Sequence, residues 1–334
     1  MNHDWDSKMK RFKVIATAVA LLSVAALPAQ AAKVRIGYWS SGVSLGFGSF
    51  LEAGKFMEKK GLEVEYVKFP DVNAPTKAMA ADAIDFAIGA SAGSALSVAA
   101  DGLPMSIILA TQVAELDFVV LQDSPITSLA EIKGKKIGMS PSGSATAAIT
   151  SAILIKNYGM KESDFQAVPG NDPRVAQFLV QKDIDVAALR TVTLALLPEV
   201  KLKKLGSFRT EWKKITGKDA PPILGVGLMR NAWMKDNPAD AAKVVAGMRD
   251  AYETGKTDKP AVAKALMAAG NIPEPEATAY AALWDGIYTV SMEPADIESF
   301  KAEFEIFKSV GAVKGTLPAT ALVSGPYEAS KSIK

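Results

Sequence analysis

Residues 83–94 read AIDFAIGASAGS, in which an apolar strand at 84–89 ends in small and hydroxyl residues and leads directly into a helix. Strands at 34–38 and 62–69 come before it and one at 105–110 follows, with apolar residues at helical spacing between them. Strands and helices in alternation indicate a parallel sheet covered by helices. The first third of the chain is therefore predicted to form an α/β lobe.

A second α/β unit follows with different residues. Its predicted strands lie at 118–121, 135–139, 165–168 and 184–189, and a serine-rich turn at 140–144 leads from the second of these strands into an Ala-rich helix. Because the alternation is the same as in the first unit, we predict a second lobe of the same kind.

The last third of the chain is predicted to contain a strand at 223–229 and then mainly helices. These helices are expected at 239–254, 260–268, 274–282 and 294–309. Such a tail has no sheet of its own, so we expect it to return to the first lobe and cover it.

The predicted architecture is thus α/β with two lobes and two crossovers between them, near 118–126 and 222–230. The first lobe then comprises residues 32–120 and 228–334, and the second comprises residues 121–227. Two strands that cross between α/β lobes form a hinge, and closure about a hinge is an established way to enclose a ligand.

The N-terminal segment has the form of a secretory signal peptide. Basic residues come first, followed by an apolar run at 14–27 and the small-residue sequence PAQA at 28–31. The run is too short to cross a bilayer, which takes about 20 helical residues. We therefore predict that residues 1–31 are removed on export, and the sequence leaves both Met1 and Met9 open as the start.

Composition excludes several classes of function. The chain has 38 Lys and Arg against 36 Asp and Glu, and without residues 1–31 it has 34 of each, which argues against nucleic acid as a partner. It has no cysteine, and its one histidine, His3, lies in the predicted signal. We therefore predict no catalytic thiol or histidine, no cofactor and no metal. Because the chain has no cysteine to carry a lipid anchor, the mature protein is expected to be free in the periplasm. We also expect it to be a monomer and not to be inserted in the membrane.

The candidate binding residues follow from the position of the loops. Ligands of open parallel sheets bind at the carboxyl ends of the strands, where helix N-termini offer backbone N–H groups and a dipole that favours anions. Arg190, directly after strand 184–189, suits bidentate capture of a carboxylate or sulfonate. The candidate ligand-binding residues are Trp39, Ser40, Ser41, Ser91, Gly93, Ser94, Ser140, Ser142, Gly143, Ser144, Arg190 and Thr191.

Several of these candidates also have a structural alternative. The serines at 140–144, Ser91 and Ser94 are typical helix caps. Trp39 is equally suited to core packing, and a buried Arg190 would need an acidic partner. The acidic residues near Arg190 in the sequence are Asp183, Asp185 and Glu199.

Five segments in order resemble a known family. They are VRIGY at 34–38, KKGLEVE at 59–65, AIDFAIG at 83–89, SLAEIKGKKIG at 128–138 and KDIDVAA at 182–188. The chain resembles the periplasmic binding proteins of aliphatic-sulfonate, taurine and nitrate importers, which share a superfamily with the eukaryotic thiamine-pyrimidine synthase. The resemblance spans nearly the whole predicted mature chain.

The resemblance implies a type II periplasmic binding protein fold, a ligand held between the lobes, and the permease and ATPase of an ABC importer as partners. Members often carry an aromatic or acidic residue and then a proline where this chain has Arg190 and Thr191, which makes Arg190 the natural specificity residue. The expected function is capture of a small organic anion. The alternatives are a sensor-loading binding protein and a synthase-like enzyme, and the latter depends on a cysteine-rich motif and histidines that residues 32–334 lack.

Overall fold

The computed structural model describes residues 33–334 of the 334-residue chain. The predicted signal peptide at 1–31 lies outside the described residues, as does the choice between Met1 and Met9. Among residues 33–334, no helix is both long enough and apolar enough to cross a bilayer.

The first sheet has six strands, which come from both the first and the last third of the chain. Its parallel part is built from β1, β2 and β3, while β10 runs antiparallel to both β3 and β4, and β11 runs antiparallel to β4. Across the sheet the order is β11-β4-β10-β3-β1-β2. The strands are β1 (Lys33–Trp39), β2 (Glu63–Phe69), β3 (Phe86–Ser91), β4 (Met105–Val113), β10 (Ile223–Arg230) and β11 (Tyr288–Ser291).

The second sheet has five strands and the same mixed character. Strand β6 runs parallel to β7 and β8, and β5 runs antiparallel to β8 and β9, in the order β7-β6-β8-β5-β9. The strands are β5 (Leu116–Leu121), β6 (Lys136–Met139), β7 (Gln166–Pro169), β8 (Val186–Arg190) and β9 (Leu202–Ser207). The predicted α/β fold with two sheets is confirmed, and we refer to each sheet with its helices as a lobe.

The α-helices of the described chain connect and cover these strands. They are α1 (Gly42–Ala53), α2 (Ala74–Ala80), α3 (Ala92–Ala100), α4 (Ala145–Tyr158), α5 (Asp172–Val180), α6 (Thr191–Ala195), α7 (Phe208–Thr216), α8 (Asn231–Asp236), α9 (Pro238–Thr257), α10 (Lys259–Gly270), α11 (Glu274–Ala282), α12 (Trp284–Ile287), α13 (Pro294–Ser309) and α14 (Gly325–Ser330). The four helices predicted in the tail are present as α9, α10, α11 and α13. Helices α9 and α10 pack on α1 of the first lobe.

The chain passes between the sheets twice, and each passage comes earlier than the sequence suggests. It leaves the first sheet between β4 and β5, at Ala114 and Glu115, and returns between α7 and β10. The two passages lie side by side, because the Ala114 N–H donates to the Pro222 carbonyl at 2.8 Å. The prediction assigned residues up to 120 to the first lobe, whereas residues 116–120 belong to β5 of the second sheet, because an apolar strand has the same pattern in either sheet.

The tail also holds the loop after β1 in place. The buried hydroxyl of Tyr280 donates to the Gly42 carbonyl at 2.8 Å, and that of Tyr288 donates to the Val43 carbonyl at 2.5 Å. Burial raises the pKa of both phenols, so they stay neutral donors. The end of β1 and the start of α1 are therefore fixed by residues far along the chain.

Candidate ligand-binding cleft

Strand ends from both sheets face each other and enclose a small chamber. Trp39 at the end of β1 and Ser91 at the end of β3 come from the first lobe, and Arg190 at the end of β8 comes from the second. The chamber measures about 10 Å³. Its lining residues are Trp39, Ser44, Val72, Gly89, Ser91, Gln112, Ala145, Arg190 and Leu224.

Arg190 is buried in this chamber and already has several partners. Only 3% of the residue is exposed, and its guanidinium forms an ion pair with Asp172. It also donates to the hydroxyls of Ser140, at 3.3 Å, and Thr146, at 3.1 Å. Its central carbon lies 5.1 Å from the ring centre of Trp39, which makes a cation–π contact between the lobes. The Nε of Arg190 has no hydrogen-bond partner among the described residues.

The partner of Arg190 was not among the three acidic residues suggested by the sequence. Asp172 begins α5, which packs on β8, and only 2% of it is exposed. Its second oxygen accepts from the Thr193 hydroxyl at 2.7 Å and from the Arg190 N–H at 3.4 Å. Asp185 instead accepts from the Lys136 N–H at 2.8 Å. A helix start after β7 obeys the strand-end rule that selected the other candidates, so Asp172 carried a signal that was overlooked.

The start of α4 meets the first lobe directly. The Ala145 N–H donates to the Ser91 hydroxyl at 2.7 Å, so Ser91 satisfies an N-terminal amide of a helix in the other lobe. Ser144 is the N-cap of α4 and accepts from the Ala147 N–H at 3.2 Å, which supports the capping alternative for this serine. A Cβ on Gly93 would lie 3.1 Å from the Ala145 nitrogen, so a larger residue there would require the backbone of α4 to move away by a few tenths of an ångström.

A second and larger cavity, which we call the side cavity, lies next to the chamber. It measures about 520 Å³ and involves both lobes, since Gly93, Gly311 and Ala312 belong to the first and the remaining lining residues to the second. Its lining residues are Gly93, Met139, Ser140, Ser142, Gly143, Ala147, Ala148, Ser151, Glu162, Phe165, Ala167, Pro169, Gly311 and Ala312. The predicted site residues therefore divide between the two cavities, with the serine-rich turn mostly on the side cavity.

The remaining predicted residues line neither cavity. Ser40 is exposed and donates its hydroxyl to the Phe69 carbonyl at 3.0 Å. Ser41 precedes α1, and Ser94 lies half-buried in the first turn of α3. Thr191 begins α6, and its N–H donates to the Glu115 carbonyl at 3.0 Å.

Two polar residues of the chamber were missed from the sequence. The Gln112 side chain donates to the Ser44 hydroxyl at 3.1 Å, and that hydroxyl donates to the Gly89 carbonyl at 3.2 Å. Gln112 is a polar residue near the carboxyl end of the largely apolar strand β4, and this position was the available signal. In the structure it is 3% exposed. Within residues 33–334, no group of three or more acidic, histidine or cysteine side chains is arranged to hold a metal ion.

Solved structures define the class of this fold. The aliphatic sulphonate binding protein SsuA of Escherichia coli matches with a TM-score of 0.70 at 17% identity, covering 87% of this chain and 92% of that one. The alkanesulfonate-binding SsuA of Xanthomonas axonopodis, bound to MOPS, matches with a TM-score of 0.71 at 17% identity, covering 89% and 98%. The chain has the fold of the periplasmic binding proteins.

The family model described as "NMT1/THI5 like" matches residues 52–256, which is more than half of the sequence. The chain belongs to the NMT1/THI5-like family.

Curated relatives match over a shorter part. A Haemophilus influenzae protein named "Putative thiamine biosynthesis protein" is 30% identical over 159 residues, which are 47% of this chain and 50% of that one. A Brucella abortus protein named "Putative binding protein" is 29% identical over 182 residues, which are 54% and 55%. The chain spans about half the length of these curated relatives.

Proposed function

We propose that this chain is the periplasmic solute-binding subunit of an ABC importer. It captures a small organic anion, a sulfonate or a carboxylate, between its lobes and delivers it to a permease driven by an ATPase. The fold shared with sulfonate-binding proteins supports this proposal, as does the name of the Brucella relative. The main support for an anionic ligand is the burial of Arg190. The Nε of its guanidinium has no hydrogen-bond partner among the described residues.

Other donors at the cleft reinforce Arg190. The Ala145 N–H lies in the first turn of α4, where the helix dipole favours negative charge. It now donates to Ser91, whose hydroxyl is an acceptor of the same kind as a ligand oxygen. An anion at this point would be held by a guanidinium and by a helix N-terminus together.

The second candidate for the ligand is a neutral polar solute. The ion pair between Asp172 and Arg190 favours this candidate. The carboxylate of Asp172 balances the charge of Arg190, so the pair adds no net charge to the cleft. Recognition by neutral donors and by the face of Trp39 would then dominate.

A synthase-like enzyme is less consistent with the chain. One relative is named for thiamine biosynthesis, but residues 32–334 contain neither cysteine nor histidine. We therefore propose binding without turnover. A binding protein that delivers its ligand to a membrane sensor would have the same geometry as an importer subunit. A permease gene next to the gene for this chain would favour the importer.

A thermal-shift panel tests the ligand class. We expect alkanesulfonates or carboxylates to raise the melting temperature, because a ligand at 100 times its dissociation constant adds about 2.7 kcal/mol to the folded state. The panel includes taurine, nitrate and neutral solutes of similar size. Stabilisation by neutral solutes alone would favour the second candidate and end the anion proposal.

Replacement of Arg190 by lysine tests its role. We expect Arg190→Lys to weaken binding of the best anion by about tenfold to hundredfold, because a hydrogen bond to a charged group contributes about 1.5–3 kcal/mol and lysine lacks the planar fork. The measurement is isothermal titration calorimetry. Arg249→Lys is the matched control, since Arg249 on α9 donates to the Ser330 carbonyl at 3.0 Å and lines neither cavity. Equal affinities of Arg190→Lys and the wild type would make Arg190 purely structural.

A further inference from the structure

Helix α13 carries a buried carboxyl group on the face that meets the second lobe. Glu303 is 2% exposed, and one of its oxygens accepts from the Ile223 N–H at 2.9 Å. The other oxygen has no hydrogen-bond partner among residues 33–334. We propose that Glu303 couples lobe closure to pH, because the closed lobes hold its proton and the open lobes release it. The proposal rests on the proposed function only for the opening of the lobes to admit a solute.

Glu303 lies where the two lobes and the return passage meet. It lines a pocket of about 210 Å³, which we call the passage pocket. One wall of this pocket comes from α13, which packs on α3 and β10 of the first lobe, and another comes from Trp212 and Thr216 of α7 in the second lobe. Pro221 and Pro222 of the return passage also line it. A rotation of one lobe against the other therefore changes the surroundings of Glu303.

A ring contact from the second lobe covers the face of α13 that contains Glu303. Phe307 comes four residues after Glu303, so the two side chains lie on the same face of the helix. The ring centre of Trp212 lies 6.2 Å from that of Phe307, and both residues are almost fully buried. Separation of α7 from α13 would uncover this face and admit water to the carboxyl group.

The closed surroundings favour the neutral form of Glu303. An ionised carboxylate there would have one buried oxygen with neither water nor a donor. Burial accordingly raises the pKa of Glu303 well above the ordinary 4.5, and water that enters on opening would lower this pKa again. The closed form then binds the proton more tightly than the open form, so closure is favoured at low pH and is lost as the pH rises through the closed-state pKa. A ligand that binds the closed lobes would be held more tightly at low pH for the same reason.

Charged groups on the neighbouring elements leave burial as the main influence on Glu303. Lys218 lines the passage pocket, but it is exposed, so water and salt screen its charge. On β10, Arg230 pairs with Asp85, and on α4, Lys156 is exposed. The charged residues of α7 all have ion-pair partners, and they are Arg209, Glu211, Lys213 and Lys214. The other charged residues of α13 are Asp296, which accepts from the Ser291 hydroxyl, and the exposed Glu298, Lys301, Glu305 and Lys308.

Distances between labels on the two lobes test the coupling without any ligand. The sequence has no cysteine, so Lys77→Cys and Gln177→Cys give unique labelling sites at exposed positions of α2 and α5, one on each lobe. Pulsed electron paramagnetic resonance of spin labels at these sites measures the open and closed populations. We expect the ratio of open to closed molecules to rise at least about threefold from pH 5 to pH 8, and at most about tenfold per pH unit, because one proton is released.

Glu303→Gln in the same labelled chain identifies the titrating group. A glutamine keeps the acceptor for Ile223 and cannot ionise, so we expect a ratio of open to closed molecules that does not depend on pH. Glu305→Gln, at an exposed position of the same helix, is the matched control and should keep the wild-type profile. A constant ratio in the wild type, or the same pH dependence in Glu303→Gln, would overturn the proposal.

Ile306→Ala tests the role of water in the passage pocket. Ile306 is a half-buried residue of α13 that lines the pocket, and its truncation gives water a path to Glu303 while the carboxyl group stays in place. We expect the midpoint pH of lobe opening to fall by roughly one unit, because a hydrated carboxyl group ionises more easily. An unchanged midpoint in a folded Ile306→Ala variant would contradict the control of Glu303 by burial.

The outcomes separate this proposal from the proposed function. If no anion binds but the label distances follow the pH as expected, the proposed ligand is wrong and the coupling stands. If anions bind but the populations do not change with pH, the coupling is overturned and the capture of an anion stands.

Discussion

Asp172→Ala is expected to lower the free energy of unfolding by about 3–5 kcal/mol, because it leaves the guanidinium of Arg190 buried without its counter-charge. Both residues of the pair are almost fully buried, so bulk water does not screen the charge that is left without a partner. The loss is measured by urea denaturation monitored by tryptophan fluorescence, with the slope checked for two-state behaviour.

Two further variants identify the cause of that loss. Asp172→Asn keeps the shape and removes the charge, and we expect it to lie between alanine and the wild type. Arg190→Met combined with Asp172→Leu removes both charges and is expected to recover most of the stability, because apolar pairs often replace buried ion pairs at little cost. A loss of under 1 kcal/mol for Asp172→Ala would mean that other groups balance Arg190.

We expect the free energy of unfolding of the wild type to fall as the pH rises above the ordinary carboxyl range. Glu303→Gln is expected to abolish this fall. Glu303 lies on α13 and is 2% exposed. Burial raises the pKa of its carboxyl group well above the ordinary 4.5. The Ile223 N–H, which donates to this carboxyl group at 2.9 Å, opposes the shift. Its second oxygen has no partner among the described residues. A neutral glutamine keeps the acceptor for Ile223 and cannot ionise.

The sign of the effect follows from the raised pKa. The folded state holds the proton of Glu303 more tightly than the unfolded state, so the stabilisation is complete below the unfolded pKa and is lost as the pH rises through the folded one. Each unit of pKa displacement corresponds to about 1.4 kcal/mol. The Glu303→Gln and wild-type unfolding free energies are compared from pH 4 to pH 8. The control is Glu305→Gln, because Glu305 is exposed on the same helix. Identical pH profiles of Glu303→Gln and the wild type would contradict the expectation.

The alternation of strands and helices was sufficient to predict the α/β fold and its two sheets, because buried strands such as β3 and β8 are continuous apolar runs. Strand β9 was missed for a physical reason. It is an edge strand that contains Lys203 and Lys204 and pairs only with β5, so its sequence lacks the apolar pattern of a central strand. The short strand β11 is similarly an edge strand and was hidden between two predicted helices.

The strand-end rule brought together part of the candidate site and failed where partners come from distant segments. It found Trp39, Ser91 and Arg190, which do meet in the chamber. It could not show that the amide at the start of α4 would bond Ser91 in the other lobe, because that contact depends on how the two lobes pack. Gln112 was missed for the same reason, since its position opposite Ser44 is set by the order of strands in the sheet.

Under the proposed function, the contact between Ser91 and Ala145 has a consequence for the affinity of the ligand. A chamber of about 10 Å³ admits no organic solute, so this hydrogen bond and the stacking of Arg190 on Trp39 must separate before one enters. The observed dissociation constant then equals the intrinsic one divided by the fraction of molecules that are open. Residues that never touch the solute can therefore tune its affinity by changing how often the two lobes part.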